Sequence, residues 1–275
     1  MALIPPFFID SVVAIWQIKI DWTKHWIGTG FLFGQLMTTV ADQKSYKIYL
    51  VTNRHVLQGQ ENIILRFNPQ SEQSATDYPI NLKDSEWMQI WTGHPNNEVD
   101  VWVISINISK LQAEGMKFSF FRSDEGVFLK DHMKEMETSE GDYIYVLWFP
   151  MGLVSENRQH VILRGWSIAR IRDLFENRST DFMVDAMVFP WNSGGPVILR
   201  PEILRIEGTK CNSNAWLIWV IKGYIPYHDV AVSRQTNKPR VIFEENSWLS
   251  LVEPVDSIIE TISEDEKIKL QKKPK

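Results

Sequence analysis

Three short segments hold side chains that could work as one nucleophilic device. Val51-Thr-Asn-Arg-His55-Val56 ends an apolar run with an imidazole. Glu98-Val-Asp100-Val-Trp-Val-Ile-Ser105 places an acid at the start of another. Pro190-Trp-Asn-Ser193-Gly-Gly-Pro-Val197 offers a hydroxyl followed by two glycines. Nucleophilic acyl transfer needs these types: a hydroxyl to attack, an imidazole to take its proton, and a carboxylate to fix the imidazole's tautomer and stabilise its cation. Glycines after the serine allow a tight turn that presents Oγ and lets a substrate backbone approach. Taken singly, a histidine after a strand, an aspartate before one and a Ser-Gly-Gly-Pro turn are more often structural. Together, in the order His55, Asp100, Ser193, they define a candidate catalytic set.

The elements that must carry these residues read as short strands. From Val12 to Ile20 the even positions Val12, Ala14, Trp16, Ile18 and Ile20 are apolar, while Gln17 and Lys19 turn polar. That is a period of two with one buried face. β-Branched and aromatic runs follow at 26–33, 47–52, 62–67 and 99–106, then at 143–149, 160–171, 181–189, 196–199, 215–225 and 240–244. Nothing between them has the length and period of a crossover helix, so a parallel α/β architecture is disfavoured. A sandwich or a pair of barrels is the expected class. Between Ser109 and Asp142 the pattern gives way to charged sequence, read as the connection between two halves. Val255, Ile258, Ile259 and Ile262 recur at helical spacing after Pro254, which predicts a short amphipathic helix docked on the body. Ser263 to Lys275 is charged and reads as a frayed tail.

Composition narrows the function classes. The 275 residues carry 29 Lys+Arg against 34 Asp+Glu, a net charge of -5, and this balance offers no footprint for nucleic acid or an anionic membrane. The 12 tryptophans form no aromatic and basic stripe of the kind that stacks single-stranded nucleic acid. Cys211 is alone, which excludes an internal disulfide and a thiolate zinc cluster and suits a reducing compartment. His25, His94, His132, His160 and His228 lack paired ligand spacing, so no metal is expected. Gly28-Thr-Gly30 is too short for a phosphate loop. No apolar stretch reaches the roughly 18 residues of a spanning helix, and Met1 to Asp10 lacks a basic region before its apolar run. A cytoplasmic location is the expectation.

The motifs resemble those of trypsin-like, chymotrypsin-fold serine peptidases, in particular the bacterial HtrA-like branch and its protease domain. Gly28-Thr-Gly-Phe-Leu-Phe33 is similar to the strand before the family's histidine, and Val51 to Val56 to the histidine motif itself. Gly141-Asp-Tyr to Trp148-Phe-Pro150 resembles the strand opening the second barrel, and Asn192-Ser193-Gly-Gly-Pro196 the nucleophile motif. The resemblance runs from about Ile9 to Ile262. It implies an all-β fold of two antiparallel six-stranded barrels with a short C-terminal helix. The implied division is 1–125 for a barrel carrying His55 and Asp100, 126–252 for a barrel carrying Ser193, and 253–275 for helix and tail. It implies serine endopeptidase activity on protein or peptide substrates, with His55 as base, Asp100 as its orienter, Ser193 as nucleophile and no cofactor. The backbone N–H groups of Trp191 and Ser193 would form the oxyanion hole, and Met187, six residues before Ser193, would floor an apolar substrate pocket. Met187 reads equally well as a core strand residue.

The sequence departs from the family pattern at Trp191, where glycine is usual. Trp supplies the same backbone donor, but a side chain makes positive φ costly and can turn the peptide away. A latent or impaired module that binds a protein partner in its cleft is therefore the rival reading. A regulatory partner is one way such a site would be controlled.

Overall fold

The computed structural model describes residues 4–19, 23–71, 73–149, 157–189, 191–203, 206 and 209–271. Ile20, Pro150, Pro190 and residues 272–275, which figure in the expectations above, lie outside the described residues.

The first half holds β1 (Val12–Ile18), β2 (Lys24–Val40), β3 (Gln43–Thr52), β4 (Asn62–Phe67), β5 (Thr76–Asn81), β6 (Trp91–Gly93), β7 (Trp102–Ser105) and β8 (Phe121–Arg122). Seven of them run in the order β5-β4-β1-β2-β3-β7-β6, all antiparallel, and β8 adds a parallel pair to β2. β2 and β3 are joined through Ala41 and Asp42, whose φ values of 46° and 63° are both left-handed. That is the backbone of a two-residue hairpin turn matched to strand twist. β5 sits at the sheet edge, where Pro79 removes no hydrogen bond that a central strand would need.

The second half holds β9 (Tyr143–Trp148), β10 (Ile162–Arg170), β11 (Phe182–Asp185), β12 (Pro196–Leu199), β13 (Trp216–Val232) and β14 (Pro239–Pro254). These close into a barrel in the order β10-β11-β14-β13-β12-β9. Helices are few: α1 (Pro6–Asp10), α2 (Arg54–Leu57), α3 (Ile108–Ala113), α4 (Lys130–Glu135), α5 (Arg172–Phe175) and α6 (Val255–Gln271). The chain is thus all-β, with an antiparallel unit in each half and a C-terminal helix. The first unit is an eight-stranded sheet and the second a closed six-stranded barrel.

Alternation along the strands builds three cores. On β1, Val13 and Ile15 enter the core of the first half, while Val12 and Ala14 enter the core between the halves. β1 is therefore buried on both faces at its start, whereas the sequence pattern suggested one. On β9, Ile144, Val146 and Trp148 fill the barrel, and Tyr145 and Leu147 face the first half. Each fully buried aromatic or aliphatic side chain contributes about 1.5–3 kcal/mol. The shared core therefore holds the two units in a fixed relation, which a site assembled from both requires.

The helix α6 corrects the expected frayed tail. It continues through Ser263 to Gln271 because Asp265, 2% exposed, is held against the first half. Asp265 accepts hydrogen bonds from Tyr49 Oη at 3.1 Å, Thr92 Oγ1 at 2.9 Å and Lys269 Nζ at 2.7 Å.

Candidate active site

β3 delivers the imidazole. Its last residue, Thr52, is buried and is followed by Asn53 in extended backbone, after which the chain turns into the single turn of α2. The Asp100 loop is fastened to this corner. Asn53 Nδ2 and Arg54 N donate to the Asp100 carbonyl at 2.7 and 3.4 Å, and His55 N donates to Asp100 Oδ1 at 3.2 Å. Asp100 Oδ2 then lies 2.5 Å from His55 Nδ1. One carboxylate thus holds both the backbone and the ring of His55. The side chain of Asp100 is 15% exposed and that of His55 is 50% exposed, so the ring's far nitrogen remains accessible.

The Ser193 turn is built by the other half and locked onto the first. Asn192 N donates to Phe189 O at 3.0 Å, and Gly195 N donates to Asn192 O at 2.9 Å. Gly194 has φ 85°, and a Cβ there would stand 2.0 Å from the Thr29 carbonyl oxygen and 2.4 Å from Thr52 Oγ1. Both the conformation and the space demand glycine. Thr29, the middle residue of Gly28-Thr-Gly30, closes the junction. Its N–H donates to Ser193 O at 3.0 Å, its hydroxyl to Trp191 O at 3.0 Å, and its carbonyl accepts from Thr52 Oγ1 at 2.8 Å. The sequence marked this threonine only as part of a strand motif. Here it connects the strand before His55 to the turn that carries Ser193.

His55 and Asp100 are therefore brought together directly, and Ser193 is tied to the same strands. The Ser193 hydroxyl donates to the Lys222 carbonyl at 3.2 Å and not to His55. Ser193 is 9% exposed, and its N–H has no acceptor among the described residues. The Trp191 indole stands 39% exposed and is not packed into a core. Its N–H belongs to the peptide shared with Pro190, which lies outside the described residues. Met187 is half-buried on the segment after β11. That segment is pinned to β14 through Ala186 N donating to Trp248 O at 2.9 Å and Asn246 Nδ2 donating to Val188 O at 2.5 Å.

Behind Asp100 stands a group of charges that the sequence did not single out. Lys222 Nζ lies 2.9 Å from Glu253 Oε1 and 3.0 Å from Asp181 Oδ2, and it donates to the Glu98 carbonyl at 3.1 Å. Glu253, fully buried, accepts the Asp100 N–H at 3.1 Å. Burial works against the charge on both partners. It pushes the Glu253 carboxyl up, with Lys222 pulling it back only in part. On Lys222 the attraction of Glu253 and Asp181 outweighs burial and raises the ammonium above its ordinary value.

Comparison with protein-family models and with curated proteins returned no match. Among solved structures, the chain is similar to a thermostable serine protease, AL20, from an extremophilic microorganism. The TM-score is 0.46 and the identity 10%, over 95% of this chain and 99% of that one.

Proposed function

We propose that the protein is a serine endopeptidase of the trypsin-like kind, acting on protein or peptide substrates through an acyl-enzyme on Ser193. The observation that carries this reading is the doubly held His55–Asp100 pair beside a glycine-dependent serine turn fastened to the same strands. Ser193 Oγ attacks the scissile carbonyl carbon while its proton passes to His55 Nε2. The new charge on the carbonyl oxygen is received by the Ser193 and Trp191 N–H groups. As the carbon–nitrogen bond breaks, His55 returns the proton to the leaving amine. Water then repeats the sequence on the ester, losing its proton to His55 and freeing Ser193. Asp100 accepts from Nδ1 throughout, which keeps Nε2 as the basic nitrogen and stabilises the imidazolium. Met187 floors an apolar pocket for the side chain before the scissile bond. A cytoplasmic location and kinship with the bacterial HtrA-like branch belong to the same proposal.

One observation favours a second reading, a latent module that holds a protein partner without cleaving it. The Ser193 hydroxyl rests on the Lys222 carbonyl, away from the base. Hydrolysis of a fluorogenic peptide library decides between them. The peptidase reading expects turnover with apolar residues preferred before the cut, all of it lost in Ser193→Ala. Turnover by wild type and Ser193→Ala alike, or none by either, contradicts it.

A further inference from the structure

The chain joins its nucleophile and its acid at a single residue, Lys222 on β13. The Lys222 carbonyl accepts the Ser193 hydroxyl at 3.2 Å. At the other end, its ammonium meets the Glu98 carbonyl, Asp181 and Glu253, and Glu253 in turn accepts the Asp100 N–H. Asp181 and Glu253 belong to the second half, while Glu98 and Asp100 belong to the loop that fixes His55. The loop on the first half is thus held from below by an ion group rooted in the second. Lys222 is 24% exposed and Glu253 is fully buried. A buried pair of this kind adds little net stability compared with apolar side chains of similar size. Its contacts point to a different role: they fix two successive main-chain positions, the Glu98 C=O and the Asp100 N–H, on either side of Val99. A carboxylate that must meet both His55 N and His55 Nδ1 tolerates little displacement.

We propose that Lys222, acting through Glu253, is the positioning residue for Asp100: the ion group sets the Glu98–Asp100 backbone so that the Asp100 carboxylate stays on His55. This rests on the peptidase reading for its consequence in catalysis, but the positioning itself is visible without turnover. A histidine Nδ1–H bonded to a carboxylate gives a proton resonance at low field, which serves as a direct signature of the His55–Asp100 contact.

The test records that resonance, together with the rate at which a fluorophosphonate modifies Ser193, in the full chain. Lys222→Met should lose or shift the low-field line upfield and slow modification at least tenfold. Lys222→Arg, which keeps a cation able to reach both carboxylates, should restore the line and most of the rate. Lys222→Met alone leaves Glu253 buried and unpaired and risks unfolding. The double variant Lys222→Met with Glu253→Met replaces the ion group by apolar side chains and keeps the test interpretable. If it folds with wild-type melting behaviour and still loses the line, the ion group positions Asp100. If it keeps both the line and the rate, Asp100 is held without the ion group and the proposal is overturned. A wild type that shows the low-field line, loses it in the double variant and never reacts with the probe retains the positioning role and removes the peptidase reading.

Discussion

At the scale of residues, the proposed mechanism makes Ser193 and His55 one unit, because a hydroxyl is a poor nucleophile unless its proton has somewhere to go. Ser193→Ala and His55→Ala should each lower peptide turnover by about 10³-fold or more without changing the melting temperature, and the double variant should lose little beyond either alone. Single variants within tenfold of wild type would contradict the assignment. Trp191 is the other informative position. If its side chain holds the nucleophile turn in a latent form, Trp191→Gly should speed modification of Ser193 by a fluorophosphonate. An unchanged or slower rate leaves the indole without that role. The candidate residues stood out in the sequence by their neighbours, Thr-Asn-Arg before His55 and Gly-Gly-Pro after Ser193, and the structure brings His55 and Asp100 into contact. Lys222 and Glu253 were not. A single lysine in the apolar run Trp216–Ile225 and a glutamate before Pro254 look like solvent-facing residues, and only the closure of β13 and β14 around the Asp100 loop turns them inward.

At the scale of elements, α6 shows what the sequence pattern missed. The apolar spacing from Val255 to Ile262 predicts a helix, but the charged stretch after it carries no apolar stripe. Its continuation depends on Asp265, whose partners Tyr49 and Thr92 come from distant strands. Burial alone would lift the Asp265 carboxyl, but the Lys269 ammonium and the Thr92 and Tyr49 hydroxyls outweigh it and hold it below the ordinary carboxylate range. With its folded value depressed, Asp265 contributes stability that is fully present above the unfolded value near about 3.9 and fades as pH falls through the folded one. Asp265→Ala should cost about 2 kcal/mol, since it leaves buried hydroxyls without their acceptor. Denaturant melts across a pH series check both statements: the variant and wild type should differ fully at pH 7, and the difference should shrink as the pH falls through the depressed folded value. β5 escaped the sequence reading for a related reason. Pro79 argues against a central strand, and its place at the sheet edge is a property of the assembled sheet.

At the scale of the whole molecule, the site exists only because two units share a core and a seam. Phe31, Val51 and Val101 from the first half pack with Leu147, Ile198 and Val220 from the second, and Thr29 stitches the seam at the nucleophile turn. The all-β class was legible in the sequence from alternation alone, while the pairing of halves was carried by the resemblance. The seam itself was not, because a buried threonine between two glycines reads as any strand residue. Thr29→Val keeps the N–H bond to Ser193 O and removes the hydroxyl bond to Trp191 O. It should cost about 1 kcal/mol in stability and slow modification of Ser193 about tenfold, because the turn loses one of its two ties. Equal rates in variant and wild type would show that the main-chain bond suffices. The central claim, that both halves assemble a working base and nucleophile, is tested most directly by incubating the purified chain with a fluorophosphonate and reading its intact mass. The account predicts one adduct per chain, located on Ser193 and absent from His55→Ala. A chain that stays unmodified, or that reacts equally well without His55, would contradict it.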